Sequence, residues 1–165
     1  MSKNILVIAA HPDDEVLGCG GTIARHTRDG DEVYVVINMY RPEIVYTHYS
    51  GNVNIEHRII NEALITVCRP IPGYNVRTLL FFEIPSNSEW QISGKFPYFM
   101  PNWFVDISTT IEIKLKALEC YKSDLRPYLH SRSLEIIENL PRWRGSPVGI
   151  EAAEAFVLGR ITKGV

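Results

Sequence analysis

An apolar run, a helix pattern and a second apolar run follow one another at the start of the chain. Residues 3–10 form the first run, which is typical of a strand buried on both faces. The pattern from about Asp14 to Thr27 predicts a helix that ends near Gly30, and Asp31 to Asn38 predicts a second strand. Because a strand, a helix and a strand in this order form a βαβ unit, we expect an α/β fold with a mostly parallel sheet.

The rest of the chain continues with strand and helix patterns. A segment rich in Pro, Ser, Asn and Gly at Pro85–Pro101 predicts a long loop. The other predicted elements are strands at Glu43–Thr47 and Val76–Ile84, and helices at Glu56–Val67, at about Thr109–Lys122 and at Gly149–Thr162. Since no repeat or linker interrupts this pattern, residues 1–165 are expected to form a single domain.

The size and charge of the chain argue against several classes of protein. Its 165 residues suit one domain, and 17 basic against 19 acidic residues give a net charge of −2, which argues against nucleic-acid binding through bulk charge. No apolar segment near the start approaches the roughly 18 residues that a membrane-spanning helix needs. The three cysteines are widely spaced, so we expect them to be reduced in a cytoplasmic protein.

Polar residues cluster at the first strand end, in the segment Ala10-His11-Pro12-Asp13-Asp14-Glu15. Ligands of open α/β sheets bind outside the carboxyl ends of the strands. His11 and Asp14 are three residues apart across this turn, so both can face one ion, and imidazole and carboxylate are suitable zinc ligands. Asp13 can stay free as a base. Acidic residues are also favoured at any helix N-terminus, but that preference does not explain His11.

A second polar segment follows the strand predicted at Glu43–Thr47. It runs from Thr47 to Arg58, contains His48 and His57, and opens the next helix, so it lies at the same edge of the sheet as His11. A histidine from this segment would complete a set of two histidines and one carboxylate. Such a set leaves one zinc position open for water, as in hydrolytic zinc sites.

These motifs resemble the PIG-L/LmbE-like family of zinc-dependent N-acetylglucosamine deacetylases. The resemblance rests on AHPDDE with Gly18-Cys19-Gly20-Gly21-Thr22, on Asn54-Ile55-Glu56-His57-Arg58, and on Trp143–Ser146 and Glu151–Phe156. It implies a Rossmann-like three-layer α/β/α fold, Zn²⁺ bound by His11, Asp14 and His57, and Asp13 as the general base. The implied reaction is hydrolysis of the N-acetyl group of an N-acetylglucosamine-type sugar or glycoconjugate.

The second motif departs from the usual pattern of the family at three positions, Asn52, Asn54 and Glu56. Asn52 lies where the family often has an aspartate. Asn54 lies three residues before the implied ligand histidine, where some members have a histidine that helps to stabilise the oxyanion. An asparagine can donate a hydrogen bond to a developing oxyanion, but it cannot act as a proton donor. Glu56 replaces the usual aspartate and is expected to orient a ligand residue.

Other histidines and the tryptophans have two interpretations each. His130 lies in the predicted loop Leu125–Ser133 and could close over the site as an acid or a sugar contact, or remain an exposed loop residue. His48 could line the site or serve packing. A sugar ring could stack on a tryptophan, although packing is the simpler interpretation for Trp90, Trp103 and Trp143.

Two other functions compete with a metal hydrolase. The strand that leads to Gly18, Gly20 and Gly21 suggests a dinucleotide-binding domain, but that fingerprint needs its glycines at the turn itself, where acidic residues would here repel a pyrophosphate. The other alternative is a catalytically impaired family member that acts as a sugar-binding or regulatory protein.

The junction between the second and third predicted strands is unusually short. Only Met39 to Pro42 separate the strand ending at Asn38 from the one starting at Glu43, whereas parallel neighbours need a crossover of about a dozen residues or more. Either these strands are antiparallel or a crossover is missing. The resemblance implies a longer segment here with an anchoring arginine. We therefore expect an internally shortened domain with weak or no deacetylase activity, and a homo-oligomer that covers exposed apolar surface.

Overall fold

A six-stranded sheet with helices on both faces forms the protein. The computed structural model describes residues 2–11, 13–34, 42–73 and 75–163. In chain order the elements are β1 (Asn4–Val7), α1 (Asp14–Arg28), β2 (Glu32–Tyr34), β3 (Ile44–His48), α2 (Ile55–Val67), β4 (Thr78–Phe82), β5 (Trp103–Asp106), α3 (Ile111–Leu118), α4 (Leu134–Gly145) and β6 (Ala153–Ile161). Within these described ranges, no helix is long and apolar enough to cross a membrane.

The sheet is mostly parallel, as the βαβ pattern predicts, and its strand order is β2-β1-β3-β4-β6-β5. β1 pairs in parallel with β2 on one side and with β3 on the other, and β3 pairs in parallel with β4. β6 runs antiparallel to both of its neighbours, β4 and β5. The predicted α/β fold class is confirmed, and the carboxyl ends of β1 and β3 lie side by side.

Two apolar layers cover the two faces of the sheet. Successive residues of a strand point to opposite faces, so a sheet covered on both sides needs nearly continuous apolar strands. The layer beneath α1, α3 and α4 contains Ile5, Val7, Leu17, Tyr46, Leu80, Phe82, Leu118, Ile137 and Phe156. The layer beneath α2 contains Leu6, Ile8, Val45, Leu64, Cys68, Leu79 and Phe81. The architecture therefore has three layers, with the site at the ends of its central strands.

A kink divides α1 at Cys19, whose backbone angles are not helical (φ −149°, ψ 26°). Glycines flank the kink because the helix approaches its neighbours closely there. A Cβ on Gly18 would lie 2.5 Å from the ring of Phe82, and one on Gly21 would lie 2.8 Å from Ile107. Close packing thus explains the glycines that could have suggested a phosphate-binding loop.

A buried ion pair replaces a helix hydrogen bond at this kink. In a regular α-helix the amide of Gly21 would donate to the carbonyl of Leu17. Here the Gly21 amide donates to Oε1 of Glu154 at 3.1 Å, and the Leu17 carbonyl accepts from Nζ of Lys114 at 2.9 Å. Lys114 also donates to Oε1 of Glu154 at 2.6 Å, and both residues are 4% exposed. The pair joins the two halves of the helix that begins at Asp14.

The prediction of a helix at Gly149–Thr162 is wrong, because this segment forms β6. Alanine and glutamate favour helices in isolation. In the fold, however, the segment lies between β4 and β5 and pairs with both, and Ala153, Ala155 and Phe156 are buried there. Tertiary pairing and burial therefore outweigh the local helix propensity.

Two further elements have no clear pattern in the sequence. β5 is only 4 residues long, and α4 contains Pro141, a residue that usually interrupts helices. Ser133 caps α4 by accepting a hydrogen bond from the amide of Ile136 at 3.3 Å. The helix predicted at about Thr109–Lys122 is present as α3, followed by a short 3₁₀ turn at Glu119–Tyr121.

The short junction at Asn38–Pro42 falls mostly outside the described residues, which resume at residue 42. β2 and β3 both run parallel to β1, so the antiparallel alternative is wrong. They lie on opposite sides of β1, and residues 35–43 are the whole connection between them. This connection is shorter than the helix-containing crossover that usually joins parallel strands.

Candidate active site

His11, Asp14 and His57 converge at the carboxyl end of β1 and β3. Oδ2 of Asp14 lies 3.2 Å from Nδ1 of His11 and 3.0 Å from Nε2 of His57, and these two ring nitrogens are 3.4 Å apart. One ligand atom from each residue lies within 4.8 Å of the others. Asp14 and His57 are buried, whereas the His11 side chain is 46% exposed. The group is therefore open to solvent on the His11 side.

Strand ends and helix starts position these side chains. His11 and Asp14 lie in the turn that joins β1 to α1, and His57 lies in the first turn of α2. Asn54 begins α2, because its Oδ1 accepts from the amide of Glu56 at 3.0 Å. Since β1 and β3 are parallel neighbours, the turns that follow them meet at one end of the sheet.

The three side chains suit a metal cation. Buried polar atoms rarely lack a partner, yet Oδ1 of Asp14 makes no hydrogen bond within the described residues. The lone pairs of two facing ring nitrogens repel one another unless a proton or a cation lies between them. Burial acts to raise the pKa of Asp14, but hydrogen bonding and charge from His57 hold that pKa below its usual 3.8. Asp14 is therefore a carboxylate, the form that binds metal.

Asp13 is a buried carboxyl in a strained backbone conformation beside this group. Its φ of 113° lies in a region that residues other than glycine rarely adopt, and it is 3% exposed. Burial, together with the negative charge of Asp14, raises the pKa of Asp13 to about 6, although Arg132 acts to lower it. Strain and a raised carboxyl pKa both occur preferentially at functional sites.

His48 supports the site from within the core. Its ring stacks on that of His57 with centroids 3.9 Å apart, and its Nε2 accepts from the amide of Ala10 at 2.9 Å. The backbone carbonyl of His48 accepts from Nδ2 of Asn61 at 2.8 Å. Burial lowers the pKa of His48 to about 3, so its ring is neutral near neutral pH. The sequence leaves two roles open for His48, lining the site or packing in the core. These contacts favour packing.

The other residues singled out in the sequence differ in their contacts. Glu56 is exposed and makes no side-chain hydrogen bond or ion pair within the described part of the chain, so no contact supports an orienting role for it. Asn54 is half-buried and uses its Oδ1 as the cap of α2. The His130 ring packs edge-on against Trp90 at 5.3 Å, and its Nδ1 accepts from the amide of Arg132 at 3.0 Å. His130 is thus connected to the site through Arg132.

Arg132 is a site residue that no sequence motif signals. Its Nη1 donates to Oδ2 of Asp13 at 3.2 Å, and its Nε donates to Oγ of Ser86 at 2.8 Å. It is 119 positions away from Asp13 in the chain. A lone arginine in a loop has no characteristic spacing, so only the folded arrangement identifies it.

The C-terminal segments that carry the resemblance make their contacts beside the end of β4 and within the chain that leads to β6. Arg144 donates from Nε and Nη2 to the two carboxylate oxygens of Glu83, at 2.7 and 2.6 Å. Burial raises the pKa of Glu83, against the effect of Arg144. A Cβ on Gly145 would lie 2.3 Å from the carbonyl oxygen of Ile150, so only glycine fits there. These residues stabilise the fold rather than contact the converging side chains.

Known proteins resemble the first part of the chain most clearly. The model of a family described as GlcNAc-PI de-N-acetylase (PIG-L) matches residues 6–39. A curated 1D-myo-inositol 2-acetamido-2-deoxy-alpha-D-glucopyranoside deacetylase of Tsukamurella paurometabola is 53% identical over 36 residues, which are 22% of this chain. The match spans 12% of that relative's own length. The residues that match the family model include the turn that carries His11, Asp13 and Asp14.

Solved structures share the fold along nearly the whole chain. The conserved protein TT1542 of Thermus thermophilus superposes with a TM-score of 0.73 at 20% identity, covering 99% of this chain and 97% of the other. The N,N'-diacetylchitobiose deacetylase of Pyrococcus horikoshii superposes with a TM-score of 0.68 at 16% identity, covering 96% of this chain and 84% of the other. GalB, the 4-carboxy-2-hydroxymuconate hydratase of Pseudomonas putida, superposes with a TM-score of 0.71 at 17% identity, covering 99% of both chains. These identities show a common fold, and that fold supports more than one reaction.

The family match and the fold similarity rest on different lengths of the chain. The match covers the end of β1, all of α1 and all of β2, and it includes the first motif. The superpositions extend through α2 and β6, where the later motifs lie. Residues 6–39 of this chain therefore match the PIG-L family, and nearly the whole chain shares its fold with the superposed structures.

Proposed function

We propose that this protein is a metal-dependent N-deacetylase, an amide hydrolase that acts on N-acetylglucosamine-type sugars or their conjugates. The observation that carries the proposal is the convergence of His11, Asp14 and His57 beside the buried carboxyl of Asp13. The similarity to deacetylases of an acetamido sugar and of a diacetylated disaccharide supports this substrate class.

Zinc is the metal that we propose, because two histidines and one carboxylate with an open position are typical of catalytic zinc sites. A zinc ion there would polarise the acetyl carbonyl and make water more acidic. Asp13 accepts the proton of the attacking water and then delivers it to the leaving amine. Its pKa of about 6 brings this carboxyl closer to neutral pH than an ordinary aspartate, as a general base requires.

Asn54 and His130 belong to the substrate side of the proposal. Asn54 keeps its amide nitrogen as a donor that can stabilise a developing oxyanion while its oxygen caps α2. His130 packs against Trp90, which is 53% exposed and offers an aromatic face to a sugar ring. We propose that residues 1–165 act as one shortened domain in which these groups surround the opening.

A catalytically impaired sugar-binding protein is the second candidate. The specific observation in its favour is the length of the connection from β2 to β3, since residues 35–43 are fewer than the dozen or so residues that a crossover between parallel strands usually needs. All three candidate metal ligands remain, so this candidate also predicts metal binding. It differs in predicting weak sugar affinity and little or no turnover.

Metal analysis and amine release from one sample distinguish these candidates. The protein is loaded with zinc, dialysed, analysed for bound metal, and incubated with a panel of N-acetylglucosamine conjugates while free amine is measured. A deacetylase binds one zinc per chain and releases amine until a chelator is added. Bound zinc without amine release supports the second candidate, whereas a failure to bind zinc contradicts both.

We also propose that the outer face of α2 is covered by self-association. Several apolar side chains of this helix are 47% to 59% exposed, namely Ile55, Ile59, Ile65 and Val67. Within the described residues, α2 is the helix that packs on this face of the sheet, so its outer side chains have no second helix over them. Light scattering on the wild type and on Ile59→Glu tests this proposal. A wild type that is monomeric at high concentration would contradict it.

A further inference from the structure

Arg132 joins the two strained turns that border the site. Asp13 (φ 113°) and Ser86 (φ 70°) are the non-glycine residues with positive φ within the described ranges. Arg132 donates from Nη1 to Oδ2 of Asp13 at 3.2 Å and from Nε to Oγ of Ser86 at 2.8 Å. Such backbone conformations persist only where the surrounding structure holds them. One guanidinium therefore contacts both positions at which the backbone needs support.

Two further acceptors lie beside this guanidinium. Nε lies 3.4 Å from the carbonyl oxygen of Pro85, and the amide of Asn87, oriented with its oxygen toward Arg132, accepts from Nη2 at 3.2 Å. The side chain is 21% exposed. Because a planar guanidinium presents its donors in a rigid fork, these partners together determine where Nη1 meets Asp13.

The turn that Arg132 contacts also supports the His57 side of the site. The amide of Val53 donates to the carbonyl of Asn87 at 3.1 Å, and Nε2 of Gln91 donates to the carbonyl of Asn52 at 3.2 Å. Residues 52 and 53 lie in the loop that leads into α2. Arg132 thus links the turn at Asp13 to the segment that leads to His57, although it is bonded to none of the candidate metal ligands within the described residues.

We propose that Arg132 is a positioning residue that holds the Asp13 carboxyl in a single orientation. It engages Oδ2, so Oδ1 is the oxygen that remains to accept a proton. The reactive role of that oxygen rests on the proposed function, whereas the coupling between Arg132 and Asp13 does not.

A double-mutant cycle tests the coupling without any activity measurement. Urea unfolding of the zinc-free protein compares Arg132→Met, Asp13→Asn and the double variant, with Arg126→Met as the matched control on the same loop. Arg126 is exposed, and its side chain donates to the backbone carbonyls of Ser123 and Leu125. We expect Arg132→Met to lower the folding equilibrium constant about tenfold more in the wild-type background than in the Asp13→Asn background. Only where Asp13 is still present does the substitution leave a buried carboxylate without its charged partner. Effects that add within about twofold would overturn the proposal.

Kinetic and metal-binding measurements distinguish positioning from a general structural role. We expect Arg132→Met to lower kcat by about 10²-fold while the KM for the sugar and the zinc dissociation constant change less than about threefold, and Arg132→Lys to restore part of the rate. Parallel losses of zinc affinity and of kcat would instead contradict positioning. If the wild type releases no amine, the proposed function fails while the unfolding cycle still decides the role of Arg132.

A milder variant keeps the test decisive if Arg132→Met does not fold. Ser86→Ala removes one anchor of the guanidinium and leaves Asp13 unchanged. In a cycle with Asp13→Asn it should show a coupling of at least about threefold, transmitted through Arg132. Independent effects of these two substitutions would contradict the proposal.

Discussion

Lys114→Met tests whether the buried ion pair at the kink of α1 holds the helix together. Lys114 is 4% exposed and donates to Glu154 at 2.6 Å and to the Leu17 carbonyl at 2.9 Å. Methionine fills a similar volume and retains the apolar contacts of the lysine stem. The substitution therefore removes the charge and the hydrogen bonds while the packing changes little.

The expected loss of stability follows from what Lys114→Met leaves behind. Glu154 remains buried and keeps only its bonds from the amide of Gly21, at 3.1 Å, and from the amide and hydroxyl of Thr22, at 2.8 and 2.6 Å. Removing one partner of a buried pair costs about 3–5 kcal/mol, and the three remaining donors favour the lower end. For a chain of this size, about 2–4 °C per kcal/mol gives a decrease in Tm of roughly 6–20 °C.

Urea unfolding followed by circular dichroism measures this effect, with Lys116→Met as the control. Lys116 lies on the same helix but is exposed, so its substitution should change the free energy of unfolding by less than about 0.5 kcal/mol. The reasoning is refuted if Lys114→Met is within about 1 kcal/mol of Lys116→Met. In that case the hydrogen bonds at the kink would not be the ones that stabilise α1.

Three further predictions concern the site itself. His57→Ala should lose the bound zinc, since it removes one of three ligands, and elemental analysis that finds zinc at wild-type stoichiometry would exclude His57 from the site. Asp13→Asn should keep the metal while kcat falls by about 10² to 10⁴, and an unchanged kcat would remove Asp13 from the mechanism. His48 has a folded-state pKa of about 3 against 6.5 unfolded, so its contribution to stability is present above pH 6.5 and is lost as the pH falls toward 3. The difference in unfolding free energy between the metal-free wild type and His48→Gln should therefore decrease by up to about 4–5 kcal/mol across this range, and a difference independent of pH would contradict it.

Local patterns in the sequence are sufficient to predict the half of the fold that carries the first two motifs. β1, α1 and α2 lie within a few residues of their predicted bounds, because each has a clear apolar period and a recognisable start or end. The turn from His11 to Asp14 and the helix start near His57 could be placed at one end of the sheet for the same reason. Parallel strands bring their carboxyl ends together, so identifying the strands is enough to predict that these residues meet.

The tertiary structure alone decides the features that depend on contacts between distant segments. The alanines and glutamates of β6 favour a helix until β4 and β5 pair with them on both sides. The Lys114–Glu154 pair and the contact of Arg132 with Asp13 join residues 40 and 119 positions apart, and no periodicity relates such residues. Sequence patterns report interactions between neighbours along the chain. The partner of a buried charge and the orientation of a reactive carboxyl are determined only when the layers pack, because burial makes an unpaired charge costly enough to select one arrangement.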